Sequence, residues 1–387
     1  MTSWLVIIVL VLLSIAVWQL TKIFDLTQVG GQANKTQVAD DKDNNVQGYL
    51  MFGFLAFIYI FTIYGLLKWG HFVLSNPASE HGKEIDRLMN ITWVLIFIVQ
   101  AVTQVLLHYF AFKYRGKKDQ KALYFADNSR LEVIWSVIPA VVLAGLILYG
   151  LYAWTNIMFV NEKTEKVMVV ELYAKQFQWE ARYSGADNVL GKANVRYIEG
   201  VNTLGVDMDD PNAQDDKTAT GELHLPKGVK VLFKFRSQDV LHSAYFPHFR
   251  AQMNCVPGMV TQFAFTPTIT TVEMRADGDM IKKVEHINKL RSDKSKKLVA
   301  EGKAALDPYV FDYLLLCNKI CGPSHYNMQM KVVIDEPQDF KKWIDSQKTL
   351  AQAVKEDKAS KEAPAEAPKA TPAAADTTKV VAQLVKK

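Results

Sequence analysis

The apolar residues of this chain are concentrated before residue 160, where they form four long runs. These runs are Trp4–Leu20, Tyr49–Leu67, Ile91–Phe112 and Val133–Thr155. A helix needs roughly 20 consecutive apolar residues to cross the hydrocarbon core of a bilayer, so each run is predicted to span a membrane. The first run is the shortest and also fits a signal peptide, but no Lys or Arg precedes it and no clear small-residue cleavage site is present. We therefore expect four retained spans.

The basic residues between the runs predict how the helices are oriented. Six Lys or Arg residues separate the third run from the fourth, whereas three separate the second from the third. Because cytoplasmic loops carry the excess of basic residues, residues 113–130 are predicted to be cytoplasmic. The fourth helix is then predicted to run outward, and the chain after residue 155 to lie on the external (periplasmic) side.

After about Lys166 the apolar pattern changes from helical to alternating, which predicts short strands. The predicted strands are Val167–Tyr173, Val229–Phe235, Gln262–Phe265, Thr270–Met274, Phe311–Leu316 and Met330–Ile334. Turns rich in Gly, Pro, Asn and Asp separate them, which is typical of a β-sandwich. The predicted fold class is therefore membrane-anchored α-helices followed by an all-β sandwich.

Composition divides the external part further. Residues 184–221 are acidic and rich in Gly, Asp and Asn, and residues 276–305 are Lys-rich and helix-compatible, so both are predicted to be insertions in the sandwich. Residues 347–387 become rich in Ala, Pro, Lys and Glu, and we expect a disordered tail of low complexity. The net charge of +5 includes no basic run comparable to a nucleic-acid-binding arm, so nucleic acid is not an expected partner.

The residues that carry chemistry lie between the last two predicted strands, in the segment Cys317-Asn-Lys-Ile-Cys321-Gly-Pro-Ser-His325-Tyr-Asn-Met328. Two thiols, an imidazole and a thioether form a soft set of ligands that suits copper better than magnesium or calcium. A mononuclear blue-copper site needs one Cys, two His and a weak axial Met. The additional Cys here can bridge two copper ions, and Asp239-Val-Leu-His242-Ser243 supplies a second His.

Each of these residues also has a simpler interpretation. Cys317 and Cys321 alone fit a disulfide in an external protein, and His242 alone fits a buried structural histidine. Their joint occurrence with His325 and Met328, in a β-sandwich outside a membrane, favours the metal site. The remaining cysteine, Cys255, is predicted to be a buried free thiol.

On these residues the chain resembles subunit 2 of haem–copper cytochrome c oxidases, which carry a CuA centre in a cupredoxin domain. The resemblance covers roughly residues 90–345. It rests on five segments: Leu131-Glu-Val-Ile-Trp-Ser-Val-Ile-Pro139, Gln176-Phe-Gln-Trp179, Asp239-Val-Leu-His-Ser243, Val256-Pro-Gly258 and the Cys317–Met328 loop. It implies a family-type pair of spanning helices in residues 71–160, two additional helices in residues 1–70 and a cupredoxin domain in residues 161–346.

The resemblance implies a specific ligand set for two copper ions. That set is His242, Cys317, the backbone carbonyl of Lys319, Cys321, His325 and Met328. Cys317 and Cys321 bridge both ions, and His242 and Met328 belong to the same ion. It also implies that Glu132 is the carboxylate at the entrance of a proton path into the partner subunit, although Glu132 alone also fits a carboxylate favoured by the helix dipole.

Two positions depart from the family pattern. Lys319 stands where the family commonly has a glutamate that also holds a magnesium ion at the interface with subunit 1, so the resemblance extends to the copper ligand and not to magnesium. Phe177 stands where the family has the tryptophan that receives electrons, and Trp179 matches a neighbouring aromatic residue. We expect electrons to be received in the region of Phe177 and Trp179.

The resemblance implies that the chain is a subunit of a proton-translocating oxidase and holds no catalytic site of its own. Electrons would pass from a c-type cytochrome through CuA to haem in the partner subunit, which also holds CuB and reduces dioxygen to water. The implied partners are subunit 1, other oxidase subunits, the cytochrome, the lipid bilayer and a respiratory supercomplex. The alternative is a membrane-anchored protein that binds or delivers a single copper ion. A quinol oxidase subunit 2 would lack the copper ligands, all of which are present here.

Overall fold

The computed structural model of the chain describes residues 2–29, 41–70, 75–161 and 165–362. The chain forms two compact units. The helical unit comprises residues 1–74 and 85–152, and the β unit comprises residues 75–84 and everything from residue 153 onward.

Long helices account for most of the described residues before residue 160. They are α1 (Thr2–Val29), α2 (Asp41–Trp69), α3 (Glu80–Lys113) and α4 (Ser129–Met158). Among the described residues, α2, α3 and α4 are each long and apolar enough to cross a membrane, with mean hydropathies of 2.2, 1.9 and 2.3. Nearly all of their apolar side chains are exposed or partly exposed in the isolated chain. A lipid environment would surround these apolar side chains and so stabilise the helices.

The first predicted span, residues 4–20, is helical within α1. The side chains of residues 2–7 lie outside the described residues, and the apolar part that is described, Ile8–Ile23, is shorter than a full span. Three of the four expected spans are therefore confirmed by length and composition. The first span stays a prediction.

The β unit contains two five-stranded sheets that face each other. Its strands are β1 (Met168–Lys175), β2 (Gln178–Tyr183), β3 (Lys217–Ala219), β4 (Glu222–Pro226), β5 (Val231–Ser237), β6 (His242–Phe246), β7 (Ala251–Cys255), β8 (Thr261–Phe265), β9 (Tyr313–Cys317) and β10 (Gln329–Asp335). The first sheet has the order β3-β2-β1-β5-β8 and the second β4-β10-β9-β6-β7. Inward-facing aromatic side chains from both sheets, including Trp179, Phe233 and Phe246, form the core. The predicted β-sandwich is confirmed.

One predicted strand is wrong. Residues Thr271–Ala276 form a short helix, α5, where the alternating apolar residues predicted the strand Thr270–Met274. The hydroxyl of Thr270 accepts a hydrogen bond from the Glu273 N–H at 3.1 Å, and the Glu273 carboxylate accepts one from the Thr270 N–H at 2.8 Å. This reciprocal capping box satisfies two backbone donors at the start of a helix, and it outweighs the local strand pattern.

The acidic insertion, residues 184–221, is packed rather than loosely attached. Leu204, Val206 and Ala213 are buried against Tyr173 of β1. Several of its aspartates have internal roles: Asp210 accepts the Lys192 N–H, Asp215 accepts the Ala186 N–H and Asp216 accepts the Gly191 N–H. These carboxylates therefore stabilise the turns of the insertion.

The other predicted insertion is helical, as expected, with α6 covering Gly278–Ala300. The expected disordered tail is wrong at its start. After α7 (Pro337–Ser346), residues Leu350–Glu362 form α8, and Leu350 and Ala351 are buried on the acidic insertion. The low-complexity composition concealed this helix because its apolar contacts with the insertion come from few residues, among them Leu350 and Val354. Residues 363–387 lie outside the described residues.

The segment 75–84, which was assigned to the spanning pair, belongs to the β unit. Ala78 is fully buried, its N–H donates to the His248 carbonyl, and its own carbonyl accepts the Thr268 N–H, both at 2.8 Å. The hydroxyl of Ser79 donates to the Phe249 carbonyl at 2.7 Å. The β unit is therefore built from two separated stretches of chain.

His248 is held uncharged inside the β unit. Its ring lies edge-on to the rings of Phe311 and Tyr313, with centroids 5.1 and 5.5 Å away. Burial, together with the positive charges of Lys283 and Arg250, lowers its pKa to about 4. The folded chain therefore resists protonation at this site more than the unfolded chain does.

We expect His248→Phe to make the β unit more resistant to acid. An unfolded histidine gains its proton near its ordinary pKa of 6.5, whereas the folded one gains it only near 4, so the free energy of unfolding falls as the pH drops through this range. At about pH 5 this loss amounts to about 1–2 kcal/mol, and it should be absent in the variant. Denaturant unfolding measured at several pH values tests this, with the exposed His286→Phe as the control. Equal acid sensitivity in the two variants would contradict the prediction.

Candidate metal centre

The predicted ligands come together at one end of the second sheet. His242 is the first residue of β6, Cys317 is the last residue of β9, and the two strands are neighbours through the pair Ala244 and Cys317. The loop between β9 and β10 carries Cys321, His325 and Met328 and returns directly into β10 at Gln329. The ends of this loop are therefore fixed by backbone pairing.

The donor atoms are grouped around the two cysteine sulfurs, which lie 3.9 Å apart. Cys317 Sγ is 3.7 Å from His242 Nδ1 and 3.2 Å from the carbonyl oxygen of Lys319. Cys321 Sγ is 3.6 Å from His325 Nδ1 and 3.7 Å from Met328 Sδ. All six groups expected from the sequence thus lie together, and the sulfur–sulfur distance is far longer than the roughly 2.05 Å of a disulfide bond. The cysteines are free thiols.

The centre is mostly shielded from water. His242 is fully buried, Met328 and Cys321 are 1% and 5% exposed, and Cys317 is partly buried. Burial, followed by the neighbouring Cys317, raises the pKa of the Cys321 thiol to about 11. Two adjacent thiols in such surroundings favour the thiolate form only when a cation is bound between or beside them.

The donor set fits copper. It consists of sulfur and imidazole nitrogen with one carbonyl oxygen, and the metal-binding cluster found among the described residues, His242, Cys317 and Cys321, contains no carboxylate. Soft ligands of this kind select copper or zinc over magnesium and calcium. The side chain of Lys319 is exposed and only its carbonyl turns toward Cys317.

Asp239 holds the His242 ring in one orientation, a role that the sequence analysis did not assign. Its Oδ1 accepts a hydrogen bond from His242 Nε2 at 2.8 Å, which leaves Nδ1 facing the sulfur of Cys317. Although burial opposes it, hydrogen bonds from the Gln176 N–H, His242 and the Val240 N–H hold the pKa of Asp239 below its ordinary value. A carboxylate on the far nitrogen of a ligating histidine fixes its tautomer and increases its basicity. The proximity of Asp239 to His242 in the sequence was the available signal.

The aromatic residues expected to receive electrons differ in their exposure. Trp179 is 1% exposed, and its ring centroid lies 6.3 Å from that of His242. Phe177 is partly exposed and packs against Gly322 in the ligand loop. Both aromatic rings are therefore close to the centre, one beneath the surface and one at it.

Glu132 belongs to the helical unit. It is exposed in the first turn of α4, where its N–H donates to the Asn128 carbonyl at 3.0 Å. Since the helix dipole favours a carboxylate at this position, both interpretations of Glu132 remain open in the structure.

Comparison with known proteins identifies relatives for both units. The family model described as "Cytochrome C oxidase subunit II, transmembrane domain" matches residues 67–153. The chain is 33% identical over 278 residues to the "Alternative cytochrome c oxidase subunit 2" of Bradyrhizobium diazoefficiens, covering 71% of this chain and 84% of the relative. It is 22% identical over 310 residues to a cytochrome c oxidase subunit 2 of Thermostichus vulcanus, covering 73% and 81% of the two chains.

A solved structure is also similar. The periplasmic domain of subunit II of a cytochrome oxidase from Bradyrhizobium japonicum matches with 17% sequence identity and a TM-score of 0.25, covering 47% of this chain and 94% of that one.

Proposed function

Because the chain belongs to the cytochrome c oxidase subunit 2 family, we propose that it is the electron-accepting subunit of a respiratory cytochrome c oxidase. It takes single electrons from a c-type cytochrome at a dinuclear CuA centre and passes them to the haem-containing catalytic subunit, where dioxygen is reduced to water. The observation that carries this proposal is the grouping of Cys317 and Cys321 with two imidazoles, one thioether and one carbonyl oxygen.

The ligand loop suits this role because its donors are held rather than free to rearrange. Cys317, Cys321, His242, His325, Met328 and the Lys319 carbonyl would together hold the two copper ions. Such a centre, when bound, supplies one-electron transfer. The pairing of β9 with β6 and β10 holds Cys317 and Met328 in place, and Asp239 holds the His242 ring. Ligands that keep one arrangement in both oxidation states lower the cost of gaining and losing an electron.

We assign the surface that receives electrons to Phe177. Its ring is partly exposed and lies against the ligand loop at Gly322, whereas Trp179 is covered by other residues. Phe177 therefore provides the path from solvent, and Trp179 packs beside His242 in the interior.

In the helical unit we propose that Glu132 is the entrance of a proton path leading into subunit 1. No magnesium role is proposed for residue 319, because its side chain is an exposed lysine that would repel a divalent cation.

The three apolar helices make the chain a membrane protein with a periplasmic domain. Its proposed partners are subunit 1, other oxidase subunits, the donor cytochrome and a respiratory supercomplex, in the inner membrane of a bacterium.

Copper reconstitution of the full chain in detergent tests the proposal. We expect two copper ions per chain that share one unpaired electron, detected by metal analysis together with electron paramagnetic resonance. The hyperfine pattern of one electron shared by two copper nuclei is the decisive signal. A single isolated copper ion would favour a membrane-anchored copper-delivery protein, and a chain without copper would contradict both functions.

A further inference from the structure

A residue outside the ligand motif joins the two parts of the metal centre. Gln176 lies in the short turn between β1 and β2. Its backbone N–H donates to Asp239 Oδ2 at 2.7 Å, and its side-chain Nε2 donates to the carbonyl oxygen of Cys321. The turn thus holds Asp239 and Cys321 at the same time, although they are 63 and 145 residues further along the chain.

The first of these bonds extends to a ligand. Asp239 uses one carboxylate oxygen for the Gln176 N–H and the other for His242 Nε2, at 2.7 and 2.8 Å. If the turn moved, Asp239 would move with it and the orientation of the His242 ring would change. Asp239 acts as the connection between the turn and this ligand.

The second bond lies at a point where the turn and the ligand loop touch. Gly322, which follows Cys321, has a φ of +142°, a conformation that residues with side chains rarely adopt. A Cβ atom there would lie 2.9 Å from Gln176 Nε2 and 2.9 Å from Cζ of Phe177. The loop and the turn are thus in close contact without space for an additional atom. The side-chain amide of Gln176 is the group that donates a hydrogen bond across this contact.

We propose that Gln176 is a positioning residue that sets the distance between the Cys321 and His242 ligands through its two hydrogen bonds. This inference rests on the proposed CuA function and adds a residue to it. Gln176 is uncharged, so its hydrogen bonds are retained whether the centre has gained or lost an electron. Groups that hold the ligands of a metal typically change metal affinity about 10–100-fold when they are removed.

The test compares Gln176→Glu with Gln178→Glu in the full chain. Both changes replace an amide by a carboxylate of nearly the same shape, two residues apart. Both residues are exposed, but only the first change removes the donor to the Cys321 carbonyl, because that hydrogen bond comes from the side chain of Gln176 and not from that of Gln178. Gln176→Ala is the second variant, because it removes the same donor without adding charge. All three variants retain the backbone N–H of residue 176.

We expect both Gln176 variants to lose copper to a competing chelator about 10–100-fold more readily than the unmodified chain. Their hyperfine pattern should also change toward unequal sharing of the electron between the two copper ions. Gln178→Glu should match the unmodified chain in both measurements. The thermal midpoint of each metal-free chain shows whether the fold is retained, and the comparison rests on Gln176→Ala if the glutamate variant does not fold.

The outcomes separate this inference from the proposed function. If the unmodified chain binds two copper ions and Gln176→Ala keeps its affinity and its hyperfine pattern, the side-chain amide of Gln176 does not position the ligands, which overturns this inference and leaves the proposed function unaffected. If the unmodified chain does not bind two copper ions, the proposed function itself is wrong.

Discussion

A Cys317→Ser chain should lose the signal of an electron shared between two copper ions completely. Cys317 is in contact with three other donors: Cys321 Sγ, His242 Nδ1 and the Lys319 carbonyl, at 3.9, 3.7 and 3.2 Å. A serine hydroxyl stays protonated at neutral pH and is a hard oxygen ligand, so it cannot replace a bridging thiolate. We expect one copper ion or none to remain bound. Metal analysis and electron paramagnetic resonance of the reconstituted chain measure the loss.

The third cysteine provides the control for this experiment. Cys255 is fully buried, but it does not belong to the cluster of His242, Cys317 and Cys321 found among the described residues, so it is not expected to be a ligand. It lies opposite His242 in the pairing of β6 with β7. Cys255→Ala should therefore keep the shared-electron signal. Retention of that signal in Cys317→Ser, or its loss in Cys255→Ala alone, would overturn the proposed ligand set.

The largest effect on stability is expected from Arg182→Met. Arg182 is 1% exposed, and its guanidinium contacts Glu171 Oε2 and Asp216 Oδ2, both at 2.8 Å. It also donates to the Gly191 carbonyl at 2.9 Å. Removing one member of a buried ion pair leaves the other charge uncompensated, which typically costs about 3–5 kcal/mol. Arg236 still pairs with Glu171 at 2.8 Å, so Asp216 is the carboxylate most affected.

The pH dependence of this variant identifies the cause. In the unmodified chain burial already raises the pKa of Asp216 to about 6, although Arg182 lowers it in part. Without Arg182 the folded chain keeps a proton on Asp216 that the unfolded chain releases near the ordinary value of 3.8, so the free energy of unfolding falls as the pH rises. The free energy of unfolding that Arg182→Met loses relative to the unmodified chain should therefore be larger at about pH 8 than at about pH 5.

Denaturant unfolding at these two pH values measures the effect, with Arg196→Met as the control. Arg196 is an exposed arginine in the acidic insertion, and its replacement should change the free energy of unfolding by no more than about 0.5 kcal/mol. If the two variants lose similar free energies of unfolding, Arg182 contributes no buried ion pair. The same conclusion follows if the loss in Arg182→Met does not depend on pH.

The grouping of the candidate ligands could be predicted from the sequence because most of them lie in one short segment. Five of the six donors lie in one segment of twelve residues, Cys317–Met328, and soft ligands at that spacing have few other uses. His242 could be added because it follows a strongly alternating strand. The membrane helices could also be predicted from the sequence, because a long run of apolar residues indicates a spanning helix without any tertiary contact.

Other features depend on contacts between distant residues and could not be predicted in this way. The hydrogen bond from Gln176 to Cys321 joins residues that are 145 positions apart. Arg182, Glu171 and Asp216 appear in the sequence as ordinary charged residues, and only the fold brings them together in the interior. The helix at Thr271–Ala276 is different, because the Thr270 and Glu273 pair is a local capping signal that the sequence contained and the strand pattern obscured.

The packing of α8 determines where the periplasmic domain can be cut for work in isolation. A fragment that stops at Ser346, the end of α7, would discard Leu350 and Ala351 and leave the apolar side of the acidic insertion, including Leu204 and Val206, in water. A fragment that continues to Glu362 keeps this surface covered. At the other end, a fragment that begins after α4 lacks Ala78 and Ser79, so a separate peptide of residues 75–84 would be needed to restore the missing edge.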